Sequence, residues 1–189
     1  MSKIQIKDRF IGNDFKPFII AEMSGNHNQS LDRALKIVKV AAATGVSALK
    51  IQTYTADTMT LDIKGGEFTI NDNSSLWDGN NLYDVYKKAY TPWDWHKPIK
   101  DLAEKLGLIC FSTPFDLSAL DFLETLEMPL YKIASFENTD LPLIERVALT
   151  GKPIIISTGM ASIAELDETV KVVRNTGNEK LILLKCTSA

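Results

Sequence analysis

Six short apolar runs, each too short for a helix, recur along the chain with room for a helix between most of them. They are "PFIIAEM" (17–23), "VSALKIQ" (46–52), "LICFS" (108–112), "PLYKIA" (129–134), "PIIIS" (153–157) and "LILLK" (181–185). Runs of this kind, rich in Ile, Leu and Phe and apolar on both faces, read as strands covered on both sides. The intervening segments carry helical signals. Ser30 opens "SLDRALKIVKVAAATG", whose Leu31, Leu35, Val38 and Ala42 form a stripe at spacings of three and four, and Gly45 closes it. Thr91, Pro92 and Asp94 predict a capping box with proline at the first helical position, in a helix ending at Gly107. Asp116 is placed to cap 117–127, and Asp140 or Thr139 the segment ending at Gly151. Ser162 with Glu165 forms a second capping box, in a helix that Gly177 stops. Strand, helix, strand, repeated, requires right-handed crossovers and a parallel sheet.

An open doubly wound sheet and a (β/α)8 TIM barrel both accept that order. The first strand is followed by "AEMSGNHNQS", in which Gly25 stands alone, so the glycine-rich turn of a dinucleotide fold is missing. Polar residues instead follow nearly every strand: Glu22, Lys50 and Gln52, Ser112 and Thr113, Lys132 with Ser135 and Glu137, Ser157 and Thr158, Lys185 with Thr187 and Ser188. In a barrel these ends ring one mouth, where barrel active sites are built. Six strands of eight would leave two open parallel edges. The expectation is therefore an α/β chain, 1–189 being the N-terminal portion of a TIM-barrel domain truncated after about the sixth strand. Residues 1–16, with Ile4 and Ile6 alternating with polar neighbours, predict an N-terminal β-hairpin covering the barrel's bottom. Residues 55–90 are an insertion at the functional face, a length expected of a substrate lid.

Charge narrows the partners. A net charge of -3 with no polybasic run argues against nucleic acid and against an anionic membrane, leaving small molecules. Cys110 and Cys186 sit in apolar runs with no Cys/His cluster around them, which predicts buried thiols in a reducing compartment. No leader pattern or transmembrane stretch is visible, so a cytoplasmic location is expected.

Three lysines, Lys50, Lys132 and Lys185, end strands that are otherwise aliphatic. A single such lysine is usually a surface side chain. Three aimed at one mouth suit an anion with more than one negative group, with Thr113, Ser135, Ser157 and Ser188 adding hydroxyl donors. Glu22 and Glu137 are the carboxylates placed to handle protons, or else simple partners for the lysines. His27, in the polar turn "GNHNQS", is placed to orient substrate or cap the next helix. His96 reads as a packing residue beside Trp93 and Trp95. No pair of histidines stands at metal-ligand spacing, and no nucleophilic triad can be assembled.

"FIIAEMSGNHNQS", "LKIQTY", "FSTPF", "LYKIASFEN", "GKPIIISTGM" and "LLKCTSA" together resemble the sialic acid synthase (nonulosonic acid synthase) family, over about Pro17 to Ala189. Those enzymes condense phosphoenolpyruvate with an amino sugar to give nine-carbon 2-keto acids. "EMSGNHN", "YTPWDWH" and "KCTSA" look like the branch that makes pseudaminic acid for bacterial surface glycans. The resemblance implies phosphoenolpyruvate contacts from Lys50, Thr113, Lys132, Ser135 and Ser188, and sugar contacts from Gln52, Asn26 and His27. It places Glu22 and Glu137 near the reacting carbons as catalytic residues, with Ser157 as a supporting donor and Met160 as packing. It implies 2,4-diacetamido-2,4,6-trideoxy-L-altrose as acceptor, and a divalent metal, Mn2+ or Mg2+, held by two histidines beyond Ala189. It also implies a C-terminal antifreeze-like domain, absent here, and a homodimer for the full-length protein. The 189-residue chain alone is then expected to be inactive. Three alternatives remain: an N-acetylneuraminate or legionaminate synthase, a Schiff-base aldolase using Lys132, and a non-catalytic anion- or sugar-binding module.

Overall fold

In the computed structural model, which describes residues 3–186, the six apolar runs form one parallel sheet. The chain opens with an antiparallel hairpin, β1 (Ile4–Ile6) and β2 (Arg9–Ile11). The sheet then runs β3 (Ile20–Glu22), β4 (Ala48–Thr53), β5 (Ile109–Pro114), β6 (Tyr131–Ile133), β7 (Ile154–Ser157) and β8 (Leu181–Leu184), each strand beside its predecessor. It curls into a half-barrel, six strands of the TIM-barrel pattern. Five helices cover the outside: α1 (Leu31–Ala43), α4 (His96–Lys105), α5 (Leu117–Thr125), α6 (Leu141–Leu149) and α7 (Ile163–Asn175), while α2 (Ala56–Met59) and α3 (Leu82–Ala89) belong to the insertion.

The local signals explain most helix ends. The Ser30 hydroxyl accepts from the Arg33 amide, Asp116 accepts from the Ser118 and Ala119 amides, Asp140 from Leu143, and Ser162 and Glu165 complete a reciprocal box. The helix expected from Thr91 starts later. A 3-10 turn over Trp93–Trp95 precedes α4, and Thr91 caps nothing, because its hydroxyl is taken by His27 Nε2 at 3.1 Å. Gly107, at φ 82°, turns the chain from α4 into β5, a conformation other residues adopt only at a cost.

The two faces of the sheet form two apolar layers. Outward residues Leu49, Ile51, Cys110, Tyr131, Ile133, Ile154 and Ile156 pack under the helices with Val38, Ile99, Leu123 and Val147. Inward residues Ala48, Ile109, Phe111, Leu130 and Ile155 fill the lower half-barrel, and Ile6 of the hairpin, 1% exposed, closes it from below. Each buried aliphatic side chain contributes roughly 1.5–3 kcal/mol, so the lower barrel is a plug. Chemistry is left to the upper rim, where the inward positions become polar. Among the described residues no helix is long and apolar enough to cross a membrane.

Residues 55–90 are folded. The Tyr83 hydroxyl donates to Asp57 at 2.8 Å, Lys64 pairs with Asp84 at 2.9 Å, and Thr69 bridges to Asn81 ahead of α3. The Gln29 amide ties the insertion's end to the loop after β3 by donating to the Lys88 and Tyr90 carbonyls.

Candidate active site

Strand register decides which side chains enter the mouth. Glu22 is in register with Lys50, Gln52 with Thr113, and Ile155 with Lys132 on one side and Ile182 on the other. These positions share the parity of the inward layer, so Glu22, Lys50, Gln52, Thr113, Lys132 and Ser157 converge on the upper half-barrel.

The two lysines are buried there and are held differently. Lys50 Nζ lies 2.7 Å from Glu22 Oε2 and donates to the Thr113 hydroxyl at 3.2 Å. The Glu22 side chain is 51% exposed against 7% for Lys50, so the pair is open to solvent on the acid's side. Lys132 Nζ donates to the Ile133 carbonyl at 2.9 Å and to the Ser157 hydroxyl. No carboxylate lies in ion-pair contact with Lys132 among the described residues. Burial, and then the nearby Lys50 charge, push its ammonium down to about 8.

Glu137 stands on the loop after β6. Its Oε2 is buried with no hydrogen-bond partner, and burial raises the carboxyl above the usual range, Asp140 adding to the rise and Lys132 opposing it. Tyr86 of α3 lies close by, its phenol pushed up by burial and then by the Glu137 carboxylate. Tyr86 meets Tyr54 edge-on at 5.8 Å, which holds α3 of the insertion against the residue that follows β4. Sequence reasoning missed Tyr86; the signal was the paired tyrosines in "NLYDVYKKAY", which needed a partner across the mouth to acquire meaning.

Several expectations are corrected. Lys185 is exposed and carries the parity of Leu181, a residue of the outer layer, so two lysines enter the mouth instead of three. Cys186, expected to be buried, is partly exposed on the inward parity, and a hydrogen bond with the Ser157 hydroxyl lowers its thiol. Ser112 points outward, bonded to Thr53 at 2.6 Å and to the Ile51 carbonyl at 3.1 Å. Met160 packs against nothing; it is fully exposed. His27 is fully buried, Nδ1 accepting from the Gln29 amide and Nε2 meeting Thr91, so its ring holds the loop. Asn26 is partly buried and donates to the Met23 carbonyl at 3.0 Å. His96 is a packing residue, as its neighbours suggested: it is buried against Thr53, and burial lowers it to about 4. Ser135 sits on the β6 loop beside Glu137, whereas Ser188 lies outside the described residues.

Among the described residues no group of three or more His, Cys, Asp or Glu could hold a metal ion, and both histidines are engaged with hydroxyls. A cleft of about 1120 Å3 beside β8 is lined by Leu149, Arg174, Asn178 and Leu183, away from the convergent lysines.

The half-barrel that carries these residues is a fold shared with known proteins. A family model described as the NeuB family matches residues 37–189. The chain belongs to the NeuB family. The pseudaminic acid synthase of Helicobacter pylori is 47% identical over 92% of this chain and 50% of the relative, and that of Campylobacter jejuni (strain 81-176) is 44% identical over 95% and 52%. The chain thus spans about half the length of the curated relatives it matches. A crystal structure of N-acetylneuraminic acid synthetase from Leptospira borgpetersenii in complex with citrate superposes with TM-score 0.86 at 27% identity, covering all of this chain and 60% of that one. Within the family, the chain is similar to pseudaminic acid synthases.

Proposed function

We propose that this half-barrel supplies the phosphoenolpyruvate subsite of a synthase that condenses phosphoenolpyruvate with 2,4-diacetamido-2,4,6-trideoxy-L-altrose to give pseudaminic acid and phosphate. The observation that carries the reading is the pair Lys50 and Lys132, buried together at one rim with hydroxyls beside them. Two desolvated ammonium groups fit a ligand bearing both a phosphate and a carboxylate. The Leptospira relative's citrate, itself a polycarboxylate, is consistent with an anion site in this scaffold.

In this reading Lys50, Thr113, Lys132, Ser135 and Ser188 hold the two anionic groups, and Gln52 and Asn26 face the sugar. The C2=C3 π pair of phosphoenolpyruvate forms the bond from C3 to the aldehyde carbon, the aldehyde's own π pair passes to its oxygen, which takes up a proton to become a hydroxyl, and C2 is left electron-poor. Water adds at C2, Glu137 takes its proton, and the C2–O bond breaks to release phosphate and leave the keto group. The raised proton affinity of Glu137 makes it a stronger base once ionised. Glu22, half exposed beside Lys50, is proposed near the reacting carbons. Among the described residues there is no donor set for the family's divalent metal. The insertion 55–90, with Tyr86 against Glu137, acts as a lid; the full-length protein is proposed as a cytoplasmic homodimer.

The test is phosphate release from phosphoenolpyruvate by the full-length protein with manganese, offering the trideoxy-altrose sugar and N-acetylmannosamine in parallel. Release with the first alone supports the reading. Release with the second moves the specificity to neuraminate, and release with neither rejects the synthase.

One observation favours a second reading. Lys132 is buried and lowered to about 8, as an imine-forming lysine needs to be. Borohydride reduction in the presence of pyruvate leaves a covalent adduct on Lys132 only in the Schiff-base aldolase.

A further inference from the structure

The loops after β6 and β7 carry the site between them, Ser135 and Glu137 on one and Ser157 at the head of the other. They are joined by contacts between the ends of two of the quoted motifs, "LYKIASFEN" and "GKPIIISTGM", and by Thr169 of α7. Asn138 is 3% exposed, and its side-chain amide donates to the Thr158 carbonyl at 2.7 Å and to the Ser157 carbonyl at 3.4 Å. Its own backbone carbonyl accepts the hydroxyl of Thr169, a fully buried residue of α7, at 2.7 Å. At the other end of the same loop, Gly159 has φ +53°, and a methyl group added there would lie 2.7 Å from Ser135 Cβ and 3.4 Å from the Ser135 carbonyl oxygen. The segment Ser135 to Asn138 is thus held against the β7 loop at both ends.

We propose that Asn138, Gly159 and Thr169 form a clasp that positions Ser135 and Glu137 against the Lys132–Ser157 pair, so that phosphoenolpyruvate binding depends on three residues that never touch it. The proposal rests on the phosphoenolpyruvate reading. One amide bridges two carbonyls of the turn that begins at Ser157, so it supports the partner of Lys132 while fixing the residue next to Glu137. The missing side chain at 159 lets Ser135 approach that turn. A pocket binding two anionic groups tolerates little displacement of its donors.

The test uses the full-length protein and titrates phosphoenolpyruvate and sugar separately. Gly159→Ala is expected to raise the KM for phosphoenolpyruvate roughly 10- to 100-fold while the KM for sugar stays within about twofold. Thr169→Val should move the same constant less and in the same direction, and Thr169→Ser, which keeps the hydroxyl, should restore it. Equal rises in both constants, a loss of thermal stability with neither changed, or a serine variant that behaves like the valine would each overturn the clasp. Hydrogen–deuterium exchange without substrate supplies a second readout. Thr169→Val should speed exchange in 134–138 and 158–161 together, and a change confined to one loop also overturns it. If the parent releases no phosphate with either sugar, the phosphoenolpyruvate reading fails by itself and the exchange readout decides the clasp.

Discussion

The two flanks of the mouth carry the same ammonium group and surround it in opposite ways. On the β3–β4 flank, Lys50 has the Glu22 carboxylate 2.7 Å away, half open to water. On the β6–β7 flank, Lys132 has a carbonyl and a hydroxyl, both neutral, and faces the Lys50 charge. The first charge is compensated before any ligand arrives. The second is compensated by an incoming anion or is lost as pH rises, which makes the β6–β7 flank the one tuned for binding.

Removing Lys132 is the most severe way to break the contrast. Lys132→Met in the full-length protein is expected to lower phosphate release by roughly 10³-fold, as deletion of a principal charge-stabilising donor does. Stability should move the other way. The folded value near 8 lies below the ordinary 10.5, so the unfolded chain binds more protons between those pH values. Stability therefore rises with pH through that window, and at pH 7 the buried charge still costs stability. A melting temperature at pH 7 that is unchanged or higher in the variant agrees with this; a marked drop would show that the ammonium holds the fold together.

Glu137 gives the next largest effect. Glu137→Gln should reduce kcat roughly 10²-fold and erase the acid limb of the pH–rate profile. The sign follows from its raised proton affinity: at low pH the buried carboxyl keeps its proton and cannot take one from water, so activity climbs as pH rises through the raised value. An acid limb that survives the substitution assigns it to another group.

The basic limb sharpens the comparison between the lysines. Above about pH 8 the KM for phosphoenolpyruvate should rise about tenfold per pH unit as Lys132 loses its charge. Lys50→Met removes the charge that helps depress Lys132, so the limb should move to higher pH, measured as KM against pH in both proteins. A limb that stays in place would mean burial alone sets it.

Glu22→Gln is the mildest break. With its counter-ion gone, Lys50 is freer to meet the anion, and the KM for phosphoenolpyruvate should fall a few-fold. Stability should change by less than about 1 kcal/mol because the pair is open to solvent. A several-fold rise in that KM would place Glu22 in holding Lys50 for the ligand instead of competing with it.

Much of the fold was legible in the residues. Six apolar runs forecast the six strands in their order, and Asp116, Asp140 and Ser162 forecast three helix starts, because caps and buried-strand patterns are local properties. Thr91 shows where local reasoning stops: a capping pattern lost to a histidine 64 residues away. The site was legible in part. Lys50 meets Thr113 and Lys132 meets Ser157 at the rim, while Lys185 is exposed and His27 is buried in its loop.

What the sequence determined by itself was the alternation of strand and helix, the polar residues at strand ends, and motifs specific enough to fix the family. Only the tertiary structure decided which lysine has a counter-ion, which has none, and which loops are clasped together. The physical reason is that a strand's two-residue period tells which side chains share a face but not which face is inside. That depends on register with a neighbour tens of residues away, and so do the desolvation and charge proximity that set the chemistry of Lys132 and Glu137.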